Sequence, residues 1–189
     1  MFFREDWAEI PPSLPVTQEH VASEELTLHL YGPGGDQVKK SHHKEPPLDP
    51  YYVWSGRCNG TWAVTLSHME AAVDLSGPDA AIRWRSRPSG FRSIRVVLKV
   101  ADGPWLVSEQ ADTTRGTWHE WRLSVEDAEW WRLDIEQVTE GEPVETPDLR
   151  RVAEVGFTDL MRGGDSPASS RIDWIEVRGM TVNVPESKK

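Results

Sequence analysis

From Leu26 onward, apolar and polar residues alternate one by one along most of this chain. Leu26, Leu28 and Leu30 alternate with Thr27, His29 and Tyr31, and Trp62, Val64 and Leu66 with Ala63, Thr65 and Ser67. Ile82 and Trp84 alternate with Arg83, Arg85 and Arg87. Ile94, Val96, Leu98 and Val100 oppose Arg95, Val97 and Lys99, and His119, Trp121, Leu123 and Val125 oppose Trp118, Glu120, Arg122 and Ser124. Trp131, Leu133 and Ile135 follow the same rule against Arg132, Asp134 and Glu136. A period of two sends successive side chains to opposite sides of an extended segment. It therefore describes half-buried β-strands and does not make one face of a helix.

Turn signals separate these runs: Gly32-Pro-Gly-Gly35, Ser76-Gly-Pro78 and Ala101-Asp-Gly103. With Ala72–Leu75, Trp105–Ser108, Val152–Phe157 and Arg171–Val177, the pattern predicts about ten short strands and almost no helix. That is the pattern of an all-β protein, an antiparallel β-sandwich or jelly roll. Residues 1–24, with Pro11, Pro12 and Pro15 and no sustained period, are expected to be an arm packed on the domain, with a short helical turn near Thr17–Ser23. The sandwich is expected over 25–184, and 185–189 as a frayed tail.

The 189 residues carry a net charge of −10. Nucleic acid and anionic membrane surfaces both call for a basic footprint, so neither is expected as a partner. A single cysteine, Cys58, permits no intramolecular disulfide and no Cys/His zinc spacing. It reads as a turn cysteine before it reads as a nucleophile. No apolar run approaches a membrane span, and the first residues do not read as a secretory signal, so a cytoplasmic location is expected, or an exported one if a signal was trimmed. Oligomeric state is left open. The sequence has no P-loop, no G-x-G-x-x-G before a helix and no G-x-S-x-G elbow.

Tryptophan is the unusual residue, at ten copies. Each one taken singly is core filling, but ten together point to a surface aromatic platform as well. Arg83, Arg85, Arg95, Glu120, Arg122, Asp134 and Glu136 all stand opposite apolar faces. On adjacent strands they would form a lattice of guanidinium and carboxylate groups, suited to sugar hydroxyls or simply to solvent. The stretch from Lys40 to Gly56 places His42 and His43 before a proline-stiffened loop that ends in Tyr51, Tyr52 and Trp54. Adjacent residues on an extended chain point opposite ways, so the two histidines are not expected to share a metal. One could serve as an acid–base group, and the aromatics as ligand contacts. Trp105 and Arg162 are further candidate contacts. Asp159 and Asp165, flanking a glycine-rich loop, could hold a structural Ca²⁺, although no D-x-D-x-D loop is present.

Two stretches carry a resemblance. Leu149-Arg-Arg-Val-Ala-Glu-Val-Gly-Phe-Thr-Asp159 and Ser170-Arg-Ile-Asp-Trp-Ile-Glu-Val-Arg-Gly179, with Gly103-Pro-Trp105 and Gly116-Thr-Trp118-His-Glu-Trp121, resemble galactose-binding-like jelly rolls and carbohydrate-binding modules of that fold. The resemblance covers roughly residues 60–179. More loosely, the chain is similar to the concanavalin-like sandwiches of 3-keto-glycoside hydrolases and lyases. The resemblance implies a sandwich scaffold and a sugar as ligand class. The first expectation is therefore non-catalytic carbohydrate recognition, or a sugar-binding role accessory to glycan processing. The alternatives are a glycoside hydrolase or lyase with a His, such as His42 or His43, or a carboxylate as acid–base group, and a domain that assembles with a protein partner.

Overall fold

The computed structural model describes residues 1–42, 49–56, 58–162 and 166–183. Among these it contains fifteen strands: β1 (Phe3–Glu5), β2 (Leu26–Tyr31), β3 (Lys39–Ser41), β4 (Tyr52–Trp54), β5 (Ala63–His68), β6 (Ala71–Asp74), β7 (Ala81–Ser86), β8 (Ile94–Val100), β9 (Trp105–Asp112), β10 (His119–Ser124), β11 (Trp130–Asp134), β12 (Thr139–Val144), β13 (Val152–Thr158), β14 (Arg171–Arg178) and β15 (Met180–Asn183). Every predicted strand forms. Five are additional; β15 alternates but is only four residues long, and the other four lack the alternation for identifiable reasons. Strands β1, β3 and β4 are three residues long. Strand β12, Thr-Glu-Gly-Glu-Pro-Val, is a polar sheet edge that can accommodate Pro143.

The strands form two antiparallel sheets, and the arrangement is a jelly-roll sandwich. The six-stranded sheet runs β10-β7-β14-β4-β3, with β1 also on β14. The nine-stranded sheet runs β12-β11-β9-β8-β13-β5-β2, with β6 on β13 and β15 on β6. Alternation decides the packing. Ile82, Trp84, Ile172, Ile175 and Val177 of the first sheet meet Leu66, Val96, Leu98, Val155 and Phe157 of the second in one buried core.

Trp84 lies at the centre of that core. It stacks on Trp121 with centroids 4.7 Å apart, and its Nε1 donates to the buried Asp112 Oδ2 at 3.0 Å. The same carboxylate accepts from Ser86 Oγ, Thr114 N and His119 Nε2. These bonds satisfy a carboxylate that would otherwise be costly to bury.

The N-terminal segment is fastened by polar groups as well as by burial of Trp7 and Val16. Glu5 accepts from the backbone N–H groups of Trp7, Ala22 and Ser23, and burial still raises its pKa. Lys40 Nζ donates to Ala8 O at 2.7 Å, and burial lowers its pKa to about 8. Residues Gln18–His20 make the short turn expected there.

Candidate functional site

The six-stranded sheet brings together, on its outer face, much of the lattice expected from the sequence. Glu120 lies directly opposite Arg85, Arg122 opposite Arg83, and Glu176 opposite both Arg83 and Arg4. Arg83 donates to Glu120 at 2.9 Å and to Glu176 at 3.3 Å, Arg85 to Asp173 at 2.7 Å and Arg178 to Glu176 at 2.8 Å. Burial alone would raise the pKa of Glu176, but the Arg178 hydrogen bond and the charges of Arg178, Arg83 and Arg4 outweigh it and hold it low. For Asp173 the balance reverses: burial outweighs Arg85 and raises the pKa.

The aromatic rings on this face are covered. The Arg4 guanidinium lies 4.0 Å from the Trp174 ring centre, and Trp174 is only 6% exposed. Arg85 lies over Trp118, whose ring packs against Tyr52, itself 1% exposed. Trp54 is more open. It has Lys39 and Arg171 on neighbouring strands, 5.7 and 5.6 Å from its ring centre.

The outer face of the nine-stranded sheet has the opposite character. Tyr31 on β2 and Trp105 on β9 are separated by β5, β13 and β8. Four strand spacings of about 4.8 Å would part their backbones by about 19 Å on a flat sheet. Their ring centres nevertheless lie 4.9 Å apart, edge to face. The sheet is therefore curved with this face inward, and register shifts in β8/β9, β13/β8 and β11/β12 mark where it bends. Gly156 sits in the middle of the curve. A Cβ there would fall 1.9 Å from Val64 O, so no side chain fits between these strands.

The floor of this concave face is apolar: Ala63, Val97, Val107 and Leu133, closed at one end by Val138 of the β11–β12 turn. Val138 adopts a φ of 46°, a strained conformation for a β-branched residue, and is fully buried against the floor. Tyr31, Trp105 and Trp131 pack over this floor and stay partly exposed. Polar groups flank them. The Tyr31 hydroxyl donates to Glu154, at 3.0 and 3.2 Å to its two oxygens, and Thr65 donates to the same carboxylate. Burial first, then the charge of Glu154, raises the Tyr31 pKa well above its ordinary value, so it remains a donor. His29 Nε2 lies 2.8 Å from Ser67 Oγ, and Lys99 Nζ donates to Gly103 O at 2.7 Å beside Trp105.

The predicted residues therefore divide between the two faces. Tyr52, Trp54, Arg83, Arg85, Glu120 and Arg122 share the six-stranded face, and Trp105 lies on the concave one. Arg95 and Asp134 belong to the nine-stranded sheet, so the lattice does not extend to them. Arg95 pairs with Glu109 and Glu140. Asp134 accepts from the backbone N–H groups of Glu136 and Gln137 and so caps the β11–β12 turn. Tyr51 stacks on His42 at 4.1 Å, and His42 Nδ1 lies 3.4 Å from Pro50 O. His43 and Asp165 lie outside the described residues. Arg162 lines a cavity of about 400 Å³ with Gln37, Asn59 and Thr139.

Asp159 faces the interior. Its oxygens accept from Arg92 at 3.0 Å, Ser170 at 2.9 Å and Met161 N at 3.0 Å. Among the described residues, no three His, Cys, Asp or Glu side chains gather as a metal site would require. Cys58 is buried, and burial pushes its thiol up to about 12, which does not suit a nucleophile.

The sequence reading missed Tyr31, Trp131, Lys99 and Glu154 as a group. They come from four strands. Nothing in the local pattern separates Tyr31, Lys99 and Glu154 from other outward-facing residues, and alternation puts Trp131 with Leu133 on the inward face of β11, whereas both lie on the concave outer side and Trp130 enters the core. It also missed that Ser86, His119 and Asp112 meet. In that cluster both Ser86 and His119 donate to Asp112, and Ser86 Oγ is 3.5 Å from His119 Nε2. The serine proton is directed at the carboxylate and not at the imidazole. The arrangement thus supports the core and differs from a nucleophile-activating relay.

No protein-family model and no curated protein sequence matches the chain. Solved structures do match. A family 11 carbohydrate-binding module from Clostridium thermocellum, in complex with a β-1,3-1,4-mixed-linked tetrasaccharide, superposes with a TM-score of 0.51 at 14% identity, covering 91% of this chain and 98% of that one. The family 11 carbohydrate-binding module of a cellulosomal cellulase from the same organism gives a TM-score of 0.52 at 11% identity, covering 92% and 97%. These likenesses show the fold expected from the final strands: the jelly roll used by carbohydrate-binding modules. No helix among the described residues is long and apolar enough to cross a membrane.

Proposed function

We propose that this chain is a non-catalytic carbohydrate-binding protein and that the concave face of the nine-stranded sheet is its glycan site. The observation that carries this reading is the Tyr31–Trp105 pair, joined across four strand spacings by the curvature and bordered by Trp131, His29, Glu154 and Lys99. A pyranose presents an apolar C–H face and a rim of hydroxyls. A curved surface with aromatic walls and a few placed donors and acceptors matches both. Glu154 and the Tyr31 hydroxyl oxygen supply acceptors, Lys99 supplies donors, and the His29 imidazole supplies either according to its tautomer.

The test is a glycan array that includes mixed-linked and other neutral β-glucans, followed by calorimetry on the best ligand. Trp105→Ala is expected to weaken binding about tenfold or more, in the range of an aromatic hot spot. No binding to any glycan, or binding indifferent to both Trp105→Ala and Trp131→Ala, would overturn the assignment. Turnover of a glycoside would replace the binding reading with an enzymatic one.

A further inference from the structure

On the six-stranded face, four guanidinium groups are engaged by carboxylates: Arg4, Arg83, Arg85 and Arg178. At the other end of the same face the pattern changes. Lys39, Trp54 and Arg171 lie side by side in direct register on β3, β4 and β14. Arg87 continues the row, since its N–H donates to Arg171 O at 2.9 Å. Among the described residues, none of these three cations has a carboxylate partner. Lys39 and Arg171 flank the indole of Trp54, and the Arg87 Nε donates to Gly116 O at 3.0 Å.

We infer that this row is a second binding site, for an anionic polysaccharide whose sugars carry carboxylate or sulfate groups. Three spacings of about 4.8 Å give a track roughly 14 Å long, a few sugar residues in extent. Each uronic acid has a C–H face for Trp54 and a planar carboxylate for the guanidinium fork of Arg171 or Arg87. Among the described residues these three cations have no carboxylate beside them, on a chain of net charge −10. The surrounding negative potential repels a polyanion from other surfaces and so directs it to this track. Nucleic acid is the poorer fit, because duplex phosphates call for a wider basic footprint than one row.

The inference does not depend on the concave-face assignment, and the two can fail separately. The probe is polygalacturonate, with chondroitin sulfate as the sulfated counterpart, in affinity electrophoresis at low and high salt. The wild-type protein is expected to be retarded by at least one of them, and the retardation to fade with salt. The double variant Lys39→Gln/Arg171→Gln, which keeps side-chain bulk, is expected to lose about tenfold or more in affinity. Trp105→Ala is expected to leave this binding unchanged. The inference is overturned if neither polyanion retards the wild-type protein, if the double variant binds as well as wild type, or if a DNA oligonucleotide is bound as tightly.

Discussion

The two outer faces of this sandwich both carry aromatic rings and differ in what covers them. On the six-stranded face, Trp174 lies beneath Arg4, and Tyr52 and Trp118 pack on each other beside Arg85. Those rings are part of a laminate in which guanidinium groups bridge indoles and carboxylates. On the nine-stranded face, curvature draws Tyr31 and Trp105 together over an apolar floor, and the rings keep exposed edges. On the six-stranded face, long arginine side chains lie across neighbouring rings. A curved sheet gathers its inward-pointing side chains into a cleft. Aromatic content alone therefore does not identify a binding face; the covering of each ring does.

That contrast can be broken most severely from beneath. Asp112→Ala removes the acceptor shared by Trp84, Ser86, Thr114 and His119, and should cost about 3 kcal/mol or more in urea unfolding, since several buried donors lose their partner. Trp174→Ala is expected to cost about 3 kcal/mol, as for other large-to-small changes at buried aromatics, with glycan affinity at the concave face unaltered. A loss of that affinity without a loss of stability would show that Trp174 touches ligand after all.

Tyr31→Phe sharpens the other side. It removes the donor to Glu154 but keeps the ring against Trp105, and should weaken glycan binding several-fold at a stability cost of about 1 kcal/mol. Glu120→Ala is expected to change stability by less than about 0.5 kcal/mol, because that carboxylate is exposed and its pair with Arg83 is screened.

The smallest effect is a pH dependence. The folded pKa of Glu176 is depressed, so its contribution to stability is complete above the 4.5 of a free glutamate and is lost as pH falls through the lower folded value. Asp173 works in the opposite sense. Its raised folded pKa contributes stability below the 3.8 of a free aspartate, which disappears as pH rises through the folded value. Glu176→Gln should therefore flatten the acid limb of the stability curve, whereas Asp173→Asn should make it steeper. Identical acid limbs in wild type and Glu176→Gln would mean that the arginines around this carboxylate do not hold it ionised.

Much of the architecture was legible along the chain. Ile82 and Trp84 against Arg83 and Arg85, or Leu28 against His29, assign an inner and an outer face without reference to any other strand. Strand β12 was not legible, because an exposed edge imposes no burial pattern on Thr139–Val144. The charged lattice was legible in part too: Arg83, Arg85, Glu120 and Arg122 do meet as adjacent-strand neighbours. Asp134 has the same local pattern and lies on the other sheet, because alternation does not specify which strand pairs with which.

The sequence by itself determined that the chain folds as strands, which residues of most strands face inward, and that aromatic and charged groups were left for the surface; on β11 the apolar residues Trp131 and Leu133 turned to the outer, concave side instead. Those properties follow from a period of two, which is local. Tertiary structure decided the rest. It placed Lys39, Trp54 and Arg171 in one row, and it bent the larger sheet until Tyr31 met Trp105. Strand order and curvature arise from packing between residues far apart in the chain, and no window of sequence contains both partners.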